Sequence, residues 1–178
     1  KKIGVKHILF EDISRPTTVK KRYRANNKTL LRVSKLIQNS IDKKIEKEII
    51  KKINSIIKKV DAIIFADYNY GCISNNLIST VSKIAKKNKV YLFADSQSSS
   101  QTGNISRFKK MDMIFATERE ARLALNNKDD GLVVLAEKLK IESKSKNLFI
   151  KLAEDGLLIH AYRKSKKDWL TDKINSLN

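Results

Sequence analysis

Polar side chains that could bind a ligand follow three apolar runs of the sequence, each at the point where the run ends. The three sets are Asp67-Tyr68-Asn69, Asp95-Ser96-Gln97 and Thr117-Glu118-Arg119-Glu120. In open parallel sheets, ligands bind beyond the carboxyl ends of the strands. If the three runs are parallel strands, their carboxylates, hydroxyls and amides meet at one edge of a sheet. That edge is the predicted ligand site.

The same residue types also have purely structural uses. Asp67 and Asp95 equally fit helix N-caps or turn formers. Glu118 and Glu120 would favour the positive end of a following helix. Tyr68 is of a type that more often packs against neighbours than binds a sugar. The residue types alone therefore leave both interpretations open.

Cysteine and histidine are too few for several kinds of site. Cys72 is the one cysteine of the chain, so an internal disulfide is excluded and a reducing compartment is indicated. With only His7 and His160 beside it, no ligand cluster of zinc spacing can be written. No apolar run reaches the roughly 20 residues that span a bilayer, so the sequence predicts a soluble, cytoplasmic protein without membrane contact.

The net charge of +19 raises the alternative of a nucleic-acid binder. Lysine supplies 30 of the 38 basic residues, whereas phosphate recognition favours arginine. The lysines of residues 43–59 alternate with isoleucines and are typical of the wet face of one amphipathic helix. Nucleic-acid binding is therefore not the preferred interpretation.

Helices that alternate with buried strands must position the three polar sets. A β-hairpin is predicted at 17–34, turning around Ala25-Asn26-Asn27-Lys28, and a Ser/Gln loop at 96–103. Helices are predicted at 41–59, 75–87, 118–125 and 131–140, and strands at 60–66, 90–94, 113–116, 147–152 and 157–162. This alternation predicts an α/β protein with βαβ units and a parallel sheet.

Five stretches, in order, resemble a known family. They are Pro16-Thr17-Thr18-Val19-Lys20 with Asn27 and Leu30-Leu31-Arg32, then Ile64 to Gly71, Val90 to Asp95, Thr117 to Glu120 and Ile150 to Gly156. Together they resemble the kinase halves of bifunctional heptose-phosphate kinase/ADP-heptose synthases, in the ribokinase/pfkB superfamily. The resemblance implies a ribokinase-like (Rossmann-like) parallel-sheet core with helices on both faces and a small β-hairpin lid at 17–34. Residues 1–178 would be the central part of one kinase domain.

The resemblance also implies a reaction, namely ATP- and Mg-dependent transfer of a phosphoryl group to a hydroxyl of a sugar or sugar phosphate. By the same carry-over, Thr117, Glu120, Lys151, Glu154 and Gly156 would lie at the nucleotide, with Glu120 ordering the metal through water. The residues facing or supporting the sugar pocket would be Asn27, Arg32, Asp67 and Tyr68. The hairpin would act as a lid and as a homodimer surface.

The sequence departs from the family's pattern at several positions. Thr117 replaces an Asn, Ser96-Gln97 replaces Pro-Lys, Tyr70 stands where Lys is common, and Ala153 replaces a small Ser or Gly. The family's Gly-Ala-Gly-Asp segment, which carries the catalytic Asp, and its upstream Gly-Gly-x-x-x-Asn segment have no counterpart in the chain. We therefore expect the chain to be a fragment that is inactive alone. The alternative is a catalytically incomplete, kinase-like binding or assembly module.

Overall fold

A computed structural model of the chain describes residues 4–35, 37–97, 103–163 and 165–176. The strands are β1 (Val19–Ala25), β2 (Lys28–Lys35), β3 (Ala62–Asp67), β4 (Tyr91–Ser96), β5 (Met113–Thr117), β6 (Asn147–Lys151), β7 (Leu157–Arg163) and β8 (Asp168–Ile174). The helices are α1 (Lys43–Ile56), α2 (Asn75–Lys87), α3 (Glu118–Leu125) and α4 (Leu132–Ser143). Single 3₁₀ turns lie at Ile57–Lys59, Ile105–Arg107 and Ala153–Asp155.

The main sheet has six strands in the order β3-β4-β5-β6-β7-β8. The first four strands are parallel to one another, as predicted. The last two run antiparallel, which the prediction of a parallel sheet did not include. The reason is local: β6 turns into β7 within residues 152–156, and a link this short can only reverse the chain.

All helices within the described residues pack on one face of this sheet. The core contains the strand residues Phe65, Leu92, Ile114 and Ile150, and helices α1 to α4 contribute to the same cluster. The predicted α/β fold with a parallel-sheet core is thus confirmed, and of the helices expected on both faces, those within the described residues lie on one face. Right-handed crossovers between strands that follow one another in sheet order place each connecting helix on the same side.

The second face, here called the open face, is apolar and exposed. Ile64 and Tyr91 on this face are 64% and 60% exposed. Aromatic rings stack along it, with centroid distances of 6.4 Å between Tyr91 and Phe93 and 5.3 Å between Phe115 and Phe149. These apolar side chains alternate with the core residues along each strand. The strand sequences are therefore continuous apolar runs, as in strands that are buried on both faces.

Strands β1 and β2 form the predicted hairpin, which is a separate two-stranded antiparallel sheet. Asn26 and Asn27 make its two-residue turn, with φ angles of 48° and 62°. Positive φ at both central residues is the requirement of a type I′ turn, and asparagine tolerates it. The hairpin itself is thus confirmed as an element of structure.

Most other elements match the prediction closely, and α2 has the predicted bounds. Strand β8 was not predicted. Of the Ser/Gln loop predicted at 96–103, residues 98–102 lie outside the described residues. No helix among the described residues is long and apolar enough to cross a membrane.

Candidate active site at the carboxyl ends of the strands

Asp67 ends β3 with a buried carboxylate that is fully engaged by neighbouring groups. The side chain is 3% exposed. Its Oδ2 accepts hydrogen bonds from Arg107 Nη2 at 2.6 Å and from Ser96 Oγ at 3.2 Å, and its Oδ1 accepts one from the backbone amide of Asn69 at 3.0 Å. Asp67 therefore supports the loop that follows β3, which was one of the two roles implied by the resemblance. A direct contact between Asp67 and a sugar would require this buried side chain to become accessible.

The loop after β3, residues 67–71, is also tied to the end of β4. Asn69 has a φ of 58°. Its side-chain nitrogen Nδ2 donates to Ser96 Oγ at 3.1 Å and to the backbone carbonyl of Gln97 at 2.9 Å. Ser96 thus lies between Asn69 and Asp67. These bonds join two of the three predicted polar sets into one structural unit.

Two tyrosines of this loop lie next to the hairpin. Tyr68 is 52% exposed, and its ring stacks on that of Tyr70 at a centroid distance of 6.4 Å. Lys20 of β1 places its ammonium group 5.0 Å from the centre of the Tyr70 ring. The exposed position of Tyr68 is compatible with the expected contact to a sugar.

The other two residues expected at the sugar lie within the hairpin. Asn27 is in the turn, where its carbonyl accepts a hydrogen bond from Arg24 at 3.1 Å. Arg32 lies directly across from Arg22 in the strand pairing. Among the described residues, the hydrogen bonds found for Asn27 stay in the hairpin. Within the described parts of the chain, no hydrogen bond thus joins Asn27 or Arg32 to the loop 67–71.

Thr117 and Glu120 form a capping box at the start of α3. The Glu120 carboxylate accepts a hydrogen bond from the Thr117 amide at 2.7 Å, and the Thr117 hydroxyl accepts one from the Glu120 amide at 3.2 Å. Glu120 is 6% exposed. The pair satisfies two amides of the helix N-terminus, and Glu120 lies at the positive end of α3, as the structural alternative for this residue expected.

The capping box decides how Glu120 could take part in binding Mg²⁺. Magnesium requires several oxygen ligands in near-octahedral geometry. No group of three or more metal-ligating side chains is found among the described residues, and the Glu120 carboxylate is already in use. The described residues thus form no all-protein magnesium cage, and since Mg²⁺ usually takes one or two carboxylates together with waters and phosphates, Glu120 would act on it through water.

Lys151 ends β6 on the open face and forms an ion pair across the sheet edge. Its ammonium group lies 3.0 and 3.3 Å from the two carboxylate oxygens of Asp95 at the end of β4. Thr117 lies between them, because it pairs with Lys151 in the strand register. The second and third polar sets therefore meet at one edge, as predicted.

A cavity of about 630 Å³ opens beside this ion pair. Its lining includes the cationic residues Arg119, Arg122, Lys128 and Lys151. Arg122 is engaged in the wall, because it pairs with Glu118 at 2.7 Å and donates to two backbone carbonyls of the loop after α3. The lining thus carries four cationic side chains and one acidic side chain, Glu118, and the cavity lies at the ends of two parallel strands.

Glu154 and Gly156 lie in the turn beyond β6 and are not among the residues that line the cavity. Glu154 is exposed. Gly156 has a φ of 92°, and a Cβ atom there would lie 2.0 Å from the carbonyl oxygen of Ile174. Close passage of β8 therefore accounts for this glycine without a ligand.

Arg107 and Arg122 were not predicted as site residues. Arg107 follows Asp67 by 40 positions, and no local pattern marks their pairing. Arg122 could have been found, since Glu118 and Arg122 have the i, i+4 spacing of a helical ion pair.

Comparison with known proteins supports this description of the fold. No family model matches the chain. The bifunctional protein HldE of Helicobacter hepaticus is 29% identical over 152 residues, which are 84% of this chain and 31% of that protein. The bifunctional protein HldE of Aliarcobacter butzleri is 29% identical over 161 residues, which are 89% of this chain and 33% of that protein. The chain thus spans about a third of the length of these relatives.

Solved structures of sugar kinases share the fold. Ribokinase from Giardia lamblia superposes with a TM-score of 0.61 at 14% identity, over 93% of this chain and 50% of that chain. Phosphofructokinase-2 from Escherichia coli in complex with fructose-6-phosphate gives 0.58 at 9% identity, over 90% and 52%. The chain therefore has a ribokinase-like α/β fold, and most of its sequence is similar to bifunctional HldE proteins.

Proposed function

We propose that the chain is the central part of an ATP-dependent sugar kinase. The parent protein would transfer the γ-phosphoryl group of ATP to a hydroxyl of a sugar or sugar phosphate. The observation that supports this proposal is that two candidate ligand surfaces lie at one edge of the parallel sheet. The loop 67–71 with the hairpin is one surface, and the cavity at β5 and β6 is the other.

The spacing of these surfaces suits transfer between two bound substrates. The loop follows β3, whereas the cavity lies beyond β5 and β6, two to three strands away in the sheet. Neighbouring strands lie about 4.8 Å apart, so the surfaces are roughly 10–15 Å apart. A polyphosphate chain that extends from the cavity toward an acceptor at the loop would cover such a distance.

Phosphoryl transfer depends mainly on positioning and on neutralising negative charge. In this proposal Lys151 and the cavity arginines attract the phosphates, Thr117 lines the nucleotide cavity, and Glu154 and Gly156 lie in the turn that starts at the cavity residue Ala153. Glu120 acts indirectly, by holding the start of α3 and by ordering a hydrated Mg²⁺. Tyr68, Asn27 and Arg32 belong to the acceptor side, where Asp67 and Arg107 hold the loop. We assign no catalytic base to the residues of this chain.

A homodimer through the hairpin is also proposed. Val19, Tyr23, Leu31 and Val33 share one side of the hairpin with Lys21 and Lys35, and this side alternates with the side of Lys20, Arg22 and Arg32 in the strand register. These four side chains are 44%, 52%, 55% and 46% exposed. Burial against a second copy would remove this apolar surface from water. A full-length gene product that stays monomeric in light scattering at micromolar concentration would contradict the dimer.

The proposed function is tested with the full-length gene product, ATP, Mg²⁺ and a panel of sugars and sugar phosphates. ADP release with at least one acceptor is expected. Lys151→Met should raise the KM for ATP about tenfold or more, because it removes a cation from the cavity. Lys146→Met is the matched control, since Lys146 is exposed and pairs with Asp112 away from the cavity. Absence of ADP release with every acceptor would refute the kinase.

The second candidate is a non-catalytic binding or assembly module. The engagement of the Asp67 and Glu120 carboxylates by neighbouring protein groups is the observation that favours it. The two candidates differ in one measurable outcome. Binding of ATP by the full-length gene product without turnover of any acceptor would favour the module.

A further inference from the structure

The hairpin has almost no core of its own. Of its strand residues, all are exposed except Lys20, which is half-buried. An isolated two-stranded hairpin is marginally stable in water, because it buries too little apolar surface. Its position relative to the rest of the protein therefore depends on contacts at its base.

One side chain joins both ends of the hairpin to the loop 67–71. The guanidinium of Arg15, just before β1, donates hydrogen bonds to the backbone carbonyls of Asn39 at 3.0 Å and Ile37 at 2.9 Å, just after β2. It also donates to the carbonyl of Tyr70 in the loop. A planar guanidinium with five donors can bind three carbonyls at once, which an ammonium group does less well.

The surrounding backbone makes the same junction close. The amide of Ile41 donates to the carbonyl of Gly71 at 3.0 Å. A Cβ atom on Gly71 would lie 1.9 Å from the carbonyl oxygen of Asn39. The segment after β2 and the loop 67–71, both of which Arg15 binds, are thus in direct contact. Further along the hairpin, Lys20 of β1 lies over the Tyr70 ring.

We propose that Arg15 is a positioning residue that fixes the basic side of the hairpin beside the loop 67–71. The basic side consists of Lys20, Arg22 and Arg32, which share one face in the strand register. Because this inference rests on the proposed function, the aligned surface is the acceptor side of the kinase. Loss of Arg15 releases the base of the hairpin and leaves the nucleotide cavity intact.

The test compares Arg15→Gln with the wild-type full-length gene product by hydrogen exchange and mass spectrometry. Peptides that cover residues 19–35 should exchange at least tenfold faster in the variant, since three charge-assisted hydrogen bonds are lost. Arg163→Gln is the matched control, because Arg163 pairs with Asp168 between β7 and β8, far along the chain from the hairpin. Unchanged exchange in the hairpin, or an increase spread evenly over the main sheet, would overturn the proposal.

Kinetics supply a measurement that a general loss of stability does not mimic. Arg15→Gln should raise the KM for the acceptor about tenfold and leave the KM for ATP within about twofold. Equal increases in both values would overturn the proposal. Arg15→Lys keeps the charge without the planar fork and serves if the glutamine variant does not fold. It should show a smaller increase in the same hairpin peptides, and wild-type exchange there would contradict the role of the fork.

Exchange also separates this inference from the proposed function. If the wild-type protein phosphorylates no acceptor, the proposed function fails, while the exchange of residues 19–35 still decides whether Arg15 fixes the hairpin.

Discussion

Substitution of Asp67 by asparagine should destabilise the protein strongly. The carboxylate is 3% exposed and forms an ion pair of 2.6 Å with Arg107. Asparagine keeps one oxygen but places an amide near two donors, the Arg107 guanidinium and the Ser96 hydroxyl. If the amide nitrogen faces Arg107, the acceptors left to the guanidinium among the described residues are the carbonyl of Ile73 and the side chain of Asn75, and if the oxygen faces it, the positive charge still has no carboxylate beside it.

The magnitude follows from the burial of the two partners. Removing one partner of a buried ion pair costs about 3–5 kcal/mol, because the other charge is left buried and unpaired. The Arg107 side chain is 21% exposed and keeps two acceptors, which places the expected loss at the lower end, about 3 kcal/mol. With a urea m-value of about 2 kcal/mol/M, the unfolding midpoint should fall by about 1.5 M.

Urea unfolding followed by circular dichroism measures this shift. Glu142→Gln is the control, because it breaks the exposed ion pair with Lys109 and should hardly move the midpoint. A midpoint for Asp67→Asn within 0.3 M or so of the wild type, on an m-value of about 2 kcal/mol/M, would refute the anchoring role of the ion pair. If the midpoint of Asp67→Asn falls as expected, the double variant Asp67→Asn with Arg107→Gln should recover part of the lost stability, since it removes the unpaired charge.

Three further predictions concern backbone, titration and capping. Gly71→Ala should lower the melting temperature markedly, because φ is 76° and a Cβ would meet the Asn39 carbonyl at 1.9 Å, whereas Gly131→Ala, with nothing within 4 Å, should not. Burial lowers the pKa of His160, so below a pH of about 6.5 the unfolded chain binds more protons and stability should fall as pH is lowered; His160→Gln should flatten this dependence of the melting temperature. Thr117→Val should cost about 1 kcal/mol in urea unfolding through loss of the capping box, and Thr117→Ser should restore most of it.

Elements with strong periodicity could be predicted from the sequence, whereas the edge of the sheet could not. Helix α2 has the predicted bounds because Ser74 caps its start and apolar residues repeat at helical spacing. Among the described strands, β8 pairs with β7 alone, and it carries charged residues at its start and near its end. Its sequence thus lacks the continuous apolar run of a central strand, and its pairing depends on tertiary contacts.

The candidate site was predicted only in part, and the reasons differ between residues. Thr117 and Glu120 have the Thr-x-x-Glu spacing of a capping box, so their structural role could be predicted locally. The role of Asp67 depends on Arg107, which follows the undescribed residues 98–102 and the turn after them. Arg15, which joins three carbonyls, carries no signal in the sequence either, because its acceptors are backbone atoms.

The open face of the sheet affects how the protein behaves as a colloid. Exposed Ile64 and Tyr91 and the stacked aromatic rings make a surface that favours contact between two molecules. A net charge of +19 opposes that contact at low ionic strength. At 0.1 M salt the charges are screened beyond about 10 Å, and the apolar attraction is then no longer opposed at a distance. Solubility of the 178-residue chain should therefore decrease as salt is added, the reverse of ordinary salting-in.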